Sequence, residues 1–169
     1  MRMMNRLNEK GFTLIEVVVS LILLGIVAAT AGMGLVTSVQ GYMFCRQNGE
    51  LIGKGETAIT RIIKELADCT VTAGSATSIS WTRSSANGGA SYTFSWDGVS
   101  GHPLVLTDTN NNSDTLTDIV SSIAFAYYDN GGNAVAASVA KQVQVTLQLI
   151  GSGNFIQTIN GSVYVKLQQ

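Results

Sequence analysis

The sequence predicts an α+β protein, with one long N-terminal helix packed on a C-terminal antiparallel sheet. Three observations predict it. Among 169 residues, the stretch Val17–Cys45 holds no Asp, Glu, Lys or Arg. From Tyr42 to Asp68, apolar residues recur at helical spacing. After Cys69 the spacing changes to alternation with period two. The chain therefore reads as an apolar stem joined to a soluble head, with room for one modest domain and one extra element.

The apolar run from Phe12 to Val39 exceeds the roughly 20 residues that cross a bilayer. A cleaved secretory signal has an apolar core of about 7–15 residues. This run is longer, although Ala28, Ala29 and Ala31 imitate a signal cleavage site. Arg2, Arg6 and Lys10 precede the run, and the residues just after it are nearly neutral. Positive flanks stay cytoplasmic, so the N-terminus is expected inside and the head outside, in the periplasm or beyond. Gly25, Ala29 and Gly32 are candidate helix-packing positions, because small residues let helices approach closely in lipid. Glycine is also simply frequent in membrane helices. Glu16 needs a reason, since a carboxylate in hydrocarbon costs about 2.5–3.5 kcal/mol.

The second half of the stem is amphipathic. Ile52, Ile59, Ile62, Ile63 and Leu66 form the expected core stripe, and Arg61–Glu65 and Lys64–Asp68 are i,i+4 charge pairs. Gly49, Gly53 and Gly55 are positions where the helix is expected to bend or break. In the head, Ile79 and Trp81 share a strand face, as do Tyr92, Phe94 and Trp96 in the next strand. Asn87-Gly88-Gly89 suits a turn between them. Leu104–Leu106 is a short apolar run, and Ile123, Phe125 and Tyr127 alternate before "DNGGN", a second turn. Val143, Val145, Leu147 and Leu149 mark a further strand, and "GSGN" leads into a last one over Phe155–Leu167. Alternating strands with one long helix give an antiparallel sheet with one face on the helix.

Candidate chemistry in the head is sparse. Its charges are Arg83, Lys141 and Lys166 against Asp97, Asp108, Asp114, Asp118 and Asp129. This lacks the basic stripe of a nucleic-acid binder, so no nucleic-acid partner is expected. Asp108, Asn110, Asn112 and Asp114 begin like a calcium loop, but Ser113 and Ile119 stand where that loop needs glycine and glutamate. A solvated turn explains the segment better, and no metal or cofactor is expected. His102 reads as a turn histidine. Cys45 and Cys69 would lie about 36 Å apart on a continuous helix, too far for a disulfide. Asn160-Gly161-Ser162 matches a glycosylation triplet, in a strand context that argues against modification. Trp81, Trp96, Tyr127 and Tyr128 are expected as sheet-core aromatics. Nothing here composes an enzyme site.

Lys10-Gly11-Phe12-Thr13-Leu14-Ile15-Glu16 resembles the start of type IV prepilins and type II secretion pseudopilins. That pattern is a basic leader ending in glycine, then phenylalanine, then glutamate at the fifth mature position, then an apolar helix. The resemblance implies a pilin-like fold in four parts: a cleaved leader over 1–11, a membrane and filament-core helix over 12–41, a bracing helix half over 42–69, and a head over 70–169. It implies that prepilin peptidase cuts between Gly11 and Phe12 and methylates Phe12, and that Glu16 pairs with the freed amine, commonly of a neighbouring subunit. Pairing would answer the cost of the charge. It also implies partners: other minor subunits, a major subunit and an inner-membrane assembly platform. The segments "AITRIIKELADC" and "SSIAFAYYDNGGN" resemble minor subunits of the J and W types, which act at or near a filament tip and help start assembly. The alternative is a head that mainly binds a secreted substrate, a surface or DNA. Many pilins carry a proline about twenty residues into the mature chain. Here the only proline is Pro103, and Gly32-Met33-Gly34 occupies that neighbourhood.

Overall fold

The computed structural model describes residues 12–67, 69–83 and 89–166. One helix, α1, runs over Leu14–Leu66 and is followed by seven strands. The chain divides into two compact units, Met1–Met43 and Phe44–Gln169. In the first, α1 is uninterrupted through Gly32 and Gly34. Three of its hydroxyl side chains bond to its own backbone: Thr30 to the carbonyls of Ile26 and Val27, Thr37 to Met33, Ser38 to Gly34. Those donors are therefore satisfied without water, as an apolar surrounding requires.

In the second unit, α1 passes Gly49, Gly53 and Gly55 without a break. Its buried residues are Asn48, Leu51, Gly55, Ala58, Ile59, Ile62 and Leu66, which is the three-four spacing of one helix face. The stripe is turned slightly from the expected one: Leu51 lies in the core, and Ile52 is half-buried. The charge pairs also differ. Glu65 pairs with Arg83 of the sheet rather than with Arg61, because a tertiary partner is nearer than the next helical turn. Asp68 lies outside the described residues.

The strands are β1 (Cys69–Gly74), β2 (Ser78–Arg83), β3 (Ser91–Ser95), β4 (His102–Asp108), β5 (Ser113–Tyr128), β6 (Gln142–Ile150) and β7 (Ile156–Tyr164). They form one antiparallel meander in chain order, β1 to β7. The expected hairpin is β2–β3, with Ile79 opposite Phe94 and Trp81 opposite Tyr92. Asn87 and Gly88 of its turn lie outside the described residues. Trp96 falls just past β3. β1 has no clear alternation in sequence, and β5 begins ten residues before the Ile123 stripe.

β5 is long because it serves two neighbours. Its first half pairs with β4 and its second with β6, and the register shifts between them. The pivot contains Ile119 at φ 56°, a left-handed conformation that costs a β-branched residue about 1–3 kcal/mol. Lys54 of α1 grips Asp118 beside it at 3.0 Å. Pro103 sits at the matching irregularity of β4, where its missing N–H costs no ladder bond. The core joins Leu51, Ile59, Ile62 and Leu66 to Trp81, Phe94, Leu104, Val120, Phe125, Val143, Val145, Leu147 and Leu149. Trp81 stacks on Tyr92 at 5.9 Å and meets Phe94 at 4.5 Å. The sheet curls until its ends meet at the bridge Thr70↔Lys166.

Candidate functional site

The N-terminal segment has a defined helix start. Thr13 precedes α1, and its Oγ1 accepts a hydrogen bond from the Glu16 backbone N–H at 3.3 Å. The Thr13 carbonyl accepts from the same N–H at 3.0 Å and from Val17 at 3.3 Å. Thr13 is thus the N-cap, and Glu16 stands at the third helical position, the T-x-x-E arrangement of a capping box. A carboxylate there also faces the positive end of the helix dipole. The sequence signal for this cap is the T-x-x-E spacing of Thr13 and Glu16.

Every described residue from Phe12 to Gln47 is exposed. Phe12 is 78% exposed, Leu14 84% and Leu24 65%. By length and composition, α1 can cross a membrane. Gly25 and Gly32 have nothing within 4 Å of where a Cβ would stand. Ala28, Ala29 and Gly32 line a shallow groove with Met33, Val36 and Thr37. Lys10 and Gly11 lie outside the described residues.

A family model described as the prokaryotic N-terminal methylation motif matches residues 6–32. The chain carries a prepilin-type N-terminus. The match supports the type IV prepilin and pseudopilin family and a structural role in it, with processing by prepilin peptidase, membrane association and assembly with other pilins. No curated protein matches the chain.

The head of this prepilin-like chain places the remaining candidates apart from that end. Asp108 closes the β4–β5 hairpin. Its carboxylate accepts the backbone N–H groups of Asn110 and Asn112 at 2.8 and 2.9 Å, and the Asn112 side chain at 2.9 Å. The Asn112 side-chain bond, then its backbone bond, hold Asp108 below the usual aspartate range. Asp114 lies in β5 opposite Leu106. Among the described residues, no group of three or more His, Cys, Asp or Glu could hold a metal ion. The same turn recurs at Asp129. Its carboxylate accepts from Gly131 N, Asn133 N and the Asn133 side chain, and it too is held low, first by the Asn133 backbone. Asn111 and Gly132 take positive φ at the equivalent position. D-x-x-x-N is the sequence signal, and it occurs twice.

His102 opens β4 and meets Asp97 at 2.5 Å, both half-exposed. The Val99 backbone N–H, then His102, lower the Asp97 pKa. Cys45 is exposed and Cys69 is buried at the start of β1, and they are not joined. Cys69 Sγ donates to the Leu66 carbonyl at 3.2 Å. Asn160 lies in the middle of β7. Trp81 is fully buried, and Tyr127 donates from its half-buried phenol to the carbonyls of Ser75 and Ser78. Burial raises the Tyr127 pKa.

Proposed function

We propose that the chain is a minor pseudopilin or minor pilin. It waits as a single-pass inner-membrane protein with its N-terminus cytoplasmic and its head periplasmic. Prepilin peptidase cuts between Gly11 and Phe12 and methylates Phe12. The mature chain then enters a type II secretion pseudopilus or a type IV pilus through α1, at or near the tip, and helps start assembly beside other minor subunits, the major subunit and the assembly platform. One observation carries this reading: a methylation motif opens directly into an apolar helix that is exposed from Phe12 to Gln47. So large an apolar surface demands lipid or other subunits as its solvent. Glu16 then pairs with the amine freed at Phe12, and Gly25, Ala29 and Gly32 admit a neighbouring helix.

Intact-mass measurement of the chain from cells with and without prepilin peptidase tests the processing. Loss of residues 1–11 plus one methyl group is expected only with the peptidase, and an uncut chain in both refutes the reading. Glu16→Ala is expected to be cut normally but to be depleted from sheared filaments. Wild-type abundance of that variant in filaments removes the role assigned to Glu16.

A further inference from the structure

An asparagine followed by glycine can react with its own backbone, because glycine has no Cβ to block approach to its nitrogen. The chain holds four such pairs: Asn48-Gly49, Asn87-Gly88, Asn130-Gly131 and Asn160-Gly161. Ring closure needs the asparagine ψ outside both the helical and the extended wells. Asn48-Gly49 lies inside α1, and Asn160-Gly161 is paired with β6 in the middle of β7. Regular backbone therefore keeps both from reacting. Asn87 and Gly88 lie outside the described residues. Among the described residues, Asn130-Gly131 is the pair that stands in a turn, between β5 and β6.

That turn exposes the pair but restrains its nucleophile. Asn130 and Gly131 are both exposed. The Gly131 N–H donates to Asp129 Oδ1 at 2.8 Å. The same carboxylate accepts the Asn133 N–H at 2.9 Å and the Asn133 side chain at 3.1 Å. The Gly132 N–H closes the turn on the Asp129 carbonyl at 3.2 Å, and Gly132 takes φ 79°. These bonds fix the plane of the Gly131 amide and, with it, ψ of Asn130. The Asp129 charge also makes the Gly131 proton harder to remove, since a second negative charge would form against the first.

We propose that Asn130 is a deamidation site and that the Asp129–Gly131 hydrogen bond sets its rate. When the turn opens locally, the Gly131 nitrogen attacks Asn130 Cγ. A bond forms between that nitrogen and Cγ, and the nitrogen gives its proton to solvent. The bond from Cγ to the side-chain nitrogen breaks, and ammonia leaves with a proton taken from solvent. The product is a cyclic succinimide. Water then adds to either of its carbonyls. Opening at Cγ leaves aspartate in the ordinary chain, and opening at the backbone carbonyl leaves isoaspartate, with the chain routed through Cγ. Nothing is oxidised or reduced: water is consumed and ammonia released. Either product sets a new carboxylate beside Asp129. Isoaspartate also lengthens the turn that the bridge Tyr128↔Ala134 closes. The reaction stands independently of filament entry by α1.

The test incubates the full chain in detergent micelles at neutral pH and maps its peptides by mass spectrometry at intervals. Conversion registers as the mass gained when NH2 is exchanged for OH, and aspartate and isoaspartate peptides elute separately. Asn130 is expected to convert, but more slowly than in the free peptide AYYDNGGNAVA, which carries the same residues. Asp129→Ala removes the acceptor, so the rate at Asn130 should rise about tenfold or more, as for loss of a hydrogen bond to a charged group. Asp129→Ser keeps a weaker acceptor. Its rate should fall between the two, and it decides the matter if the alanine variant fails to fold. Asn160 in the same digests reports on the sheet and should stay unconverted throughout. A wild-type rate at Asn130 in both variants overturns the proposal, as does a chain that converts as fast as the free peptide. Conversion of Asn160 in step with Asn130 also overturns it, because general unfolding then sets the rate. So does the absence of conversion at Asn130 in every chain.

Discussion

Gly55 of α1 receives the side chain of Ile159 from β7: a Cβ at Gly55 would stand 2.2 Å from Ile159 Cδ1 and 3.0 Å from Leu149 Cδ1. The relation is reciprocal one turn on, where a Cβ at Gly161 of β7 would stand 2.7 Å from Ile63 Cδ1 and 2.8 Å from Ile59 Cγ2. Helix and sheet thus interlock, each offering a notch to the other's isoleucines. Gly53, two residues earlier, has open space around it. Gly55→Ala should therefore destabilise the head by about 1–3 kcal/mol through overpacking. Gly53→Ala should stabilise it by up to about 1 kcal/mol through helix propensity. Urea unfolding followed by the fluorescence of buried Trp81 checks both. Equal effects at the two positions would contradict the notch.

That pair also shows what the sequence could and could not convey. Gly49, Gly53 and Gly55 look alike as weak points of a helix, because propensity is local. Only the tertiary partner Ile159 separates Gly55 from the others. Alternation exposed β6 and the second half of β5, where one face is buried along the whole run. β1 and Ser113–Ser122 were not legible, because bulges and the Ile119 pivot break the period of two. The N-terminal methylation motif, matched over residues 6–32, was legible because it is contiguous in sequence. The Glu65–Arg83 pair was not, since it joins residues 18 apart through the fold.

Asn48 is 6% exposed, and neither its Oδ1 nor its Nδ2 has a hydrogen-bond partner. It lies against Gly151, where a Cβ would stand 2.6 Å from Oδ1. A buried polar group without a partner costs about 1–3 kcal/mol. Asn48→Leu, similar in volume and apolar, should raise the urea midpoint accordingly. An unchanged or lowered midpoint would mean that the amide is satisfied in solution.

Asp97, Asp108 and Asp129 are each held below the ordinary aspartate value of 3.8 by hydrogen bonds within their turns. A depressed folded-state pKa contributes stability above the unfolded value and loses it as pH falls through the folded one. The melting temperature should therefore decline as pH drops below 3.8. The double variant Asp108→Asn, Asp129→Asn keeps an acceptor in each turn but does not titrate there. Its decline should be shallower, as calorimetry across pH 2–6 (a range of about four units) would register. Identical slopes would show that neither turn is coupled to folding.

Glu16 has two physical reasons to sit where it does, and they can be separated. One is local: it holds the third helical position after the Thr13 cap, where the T-x-x-E pattern places a glutamate and a carboxylate faces the positive end of the helix dipole. The other is the intermolecular role proposed above, in which its charge pairs with the amine freed at Phe12. Glu16→Gln preserves the box, since glutamine serves at that position, but removes the charge. If pairing governs entry, Glu16→Gln should be as depleted from sheared filaments as Glu16→Ala. Thr13→Ala keeps the charge and loses a cap worth about 0.5–2 kcal/mol, so it should be depleted less. Immunoblots of sheared filaments against total processed chain give the ratio. If Glu16→Gln enters at wild-type levels while Thr13→Ala is excluded, the charge is dispensable, the cap is what entry requires, and subunit register must be set elsewhere along α1.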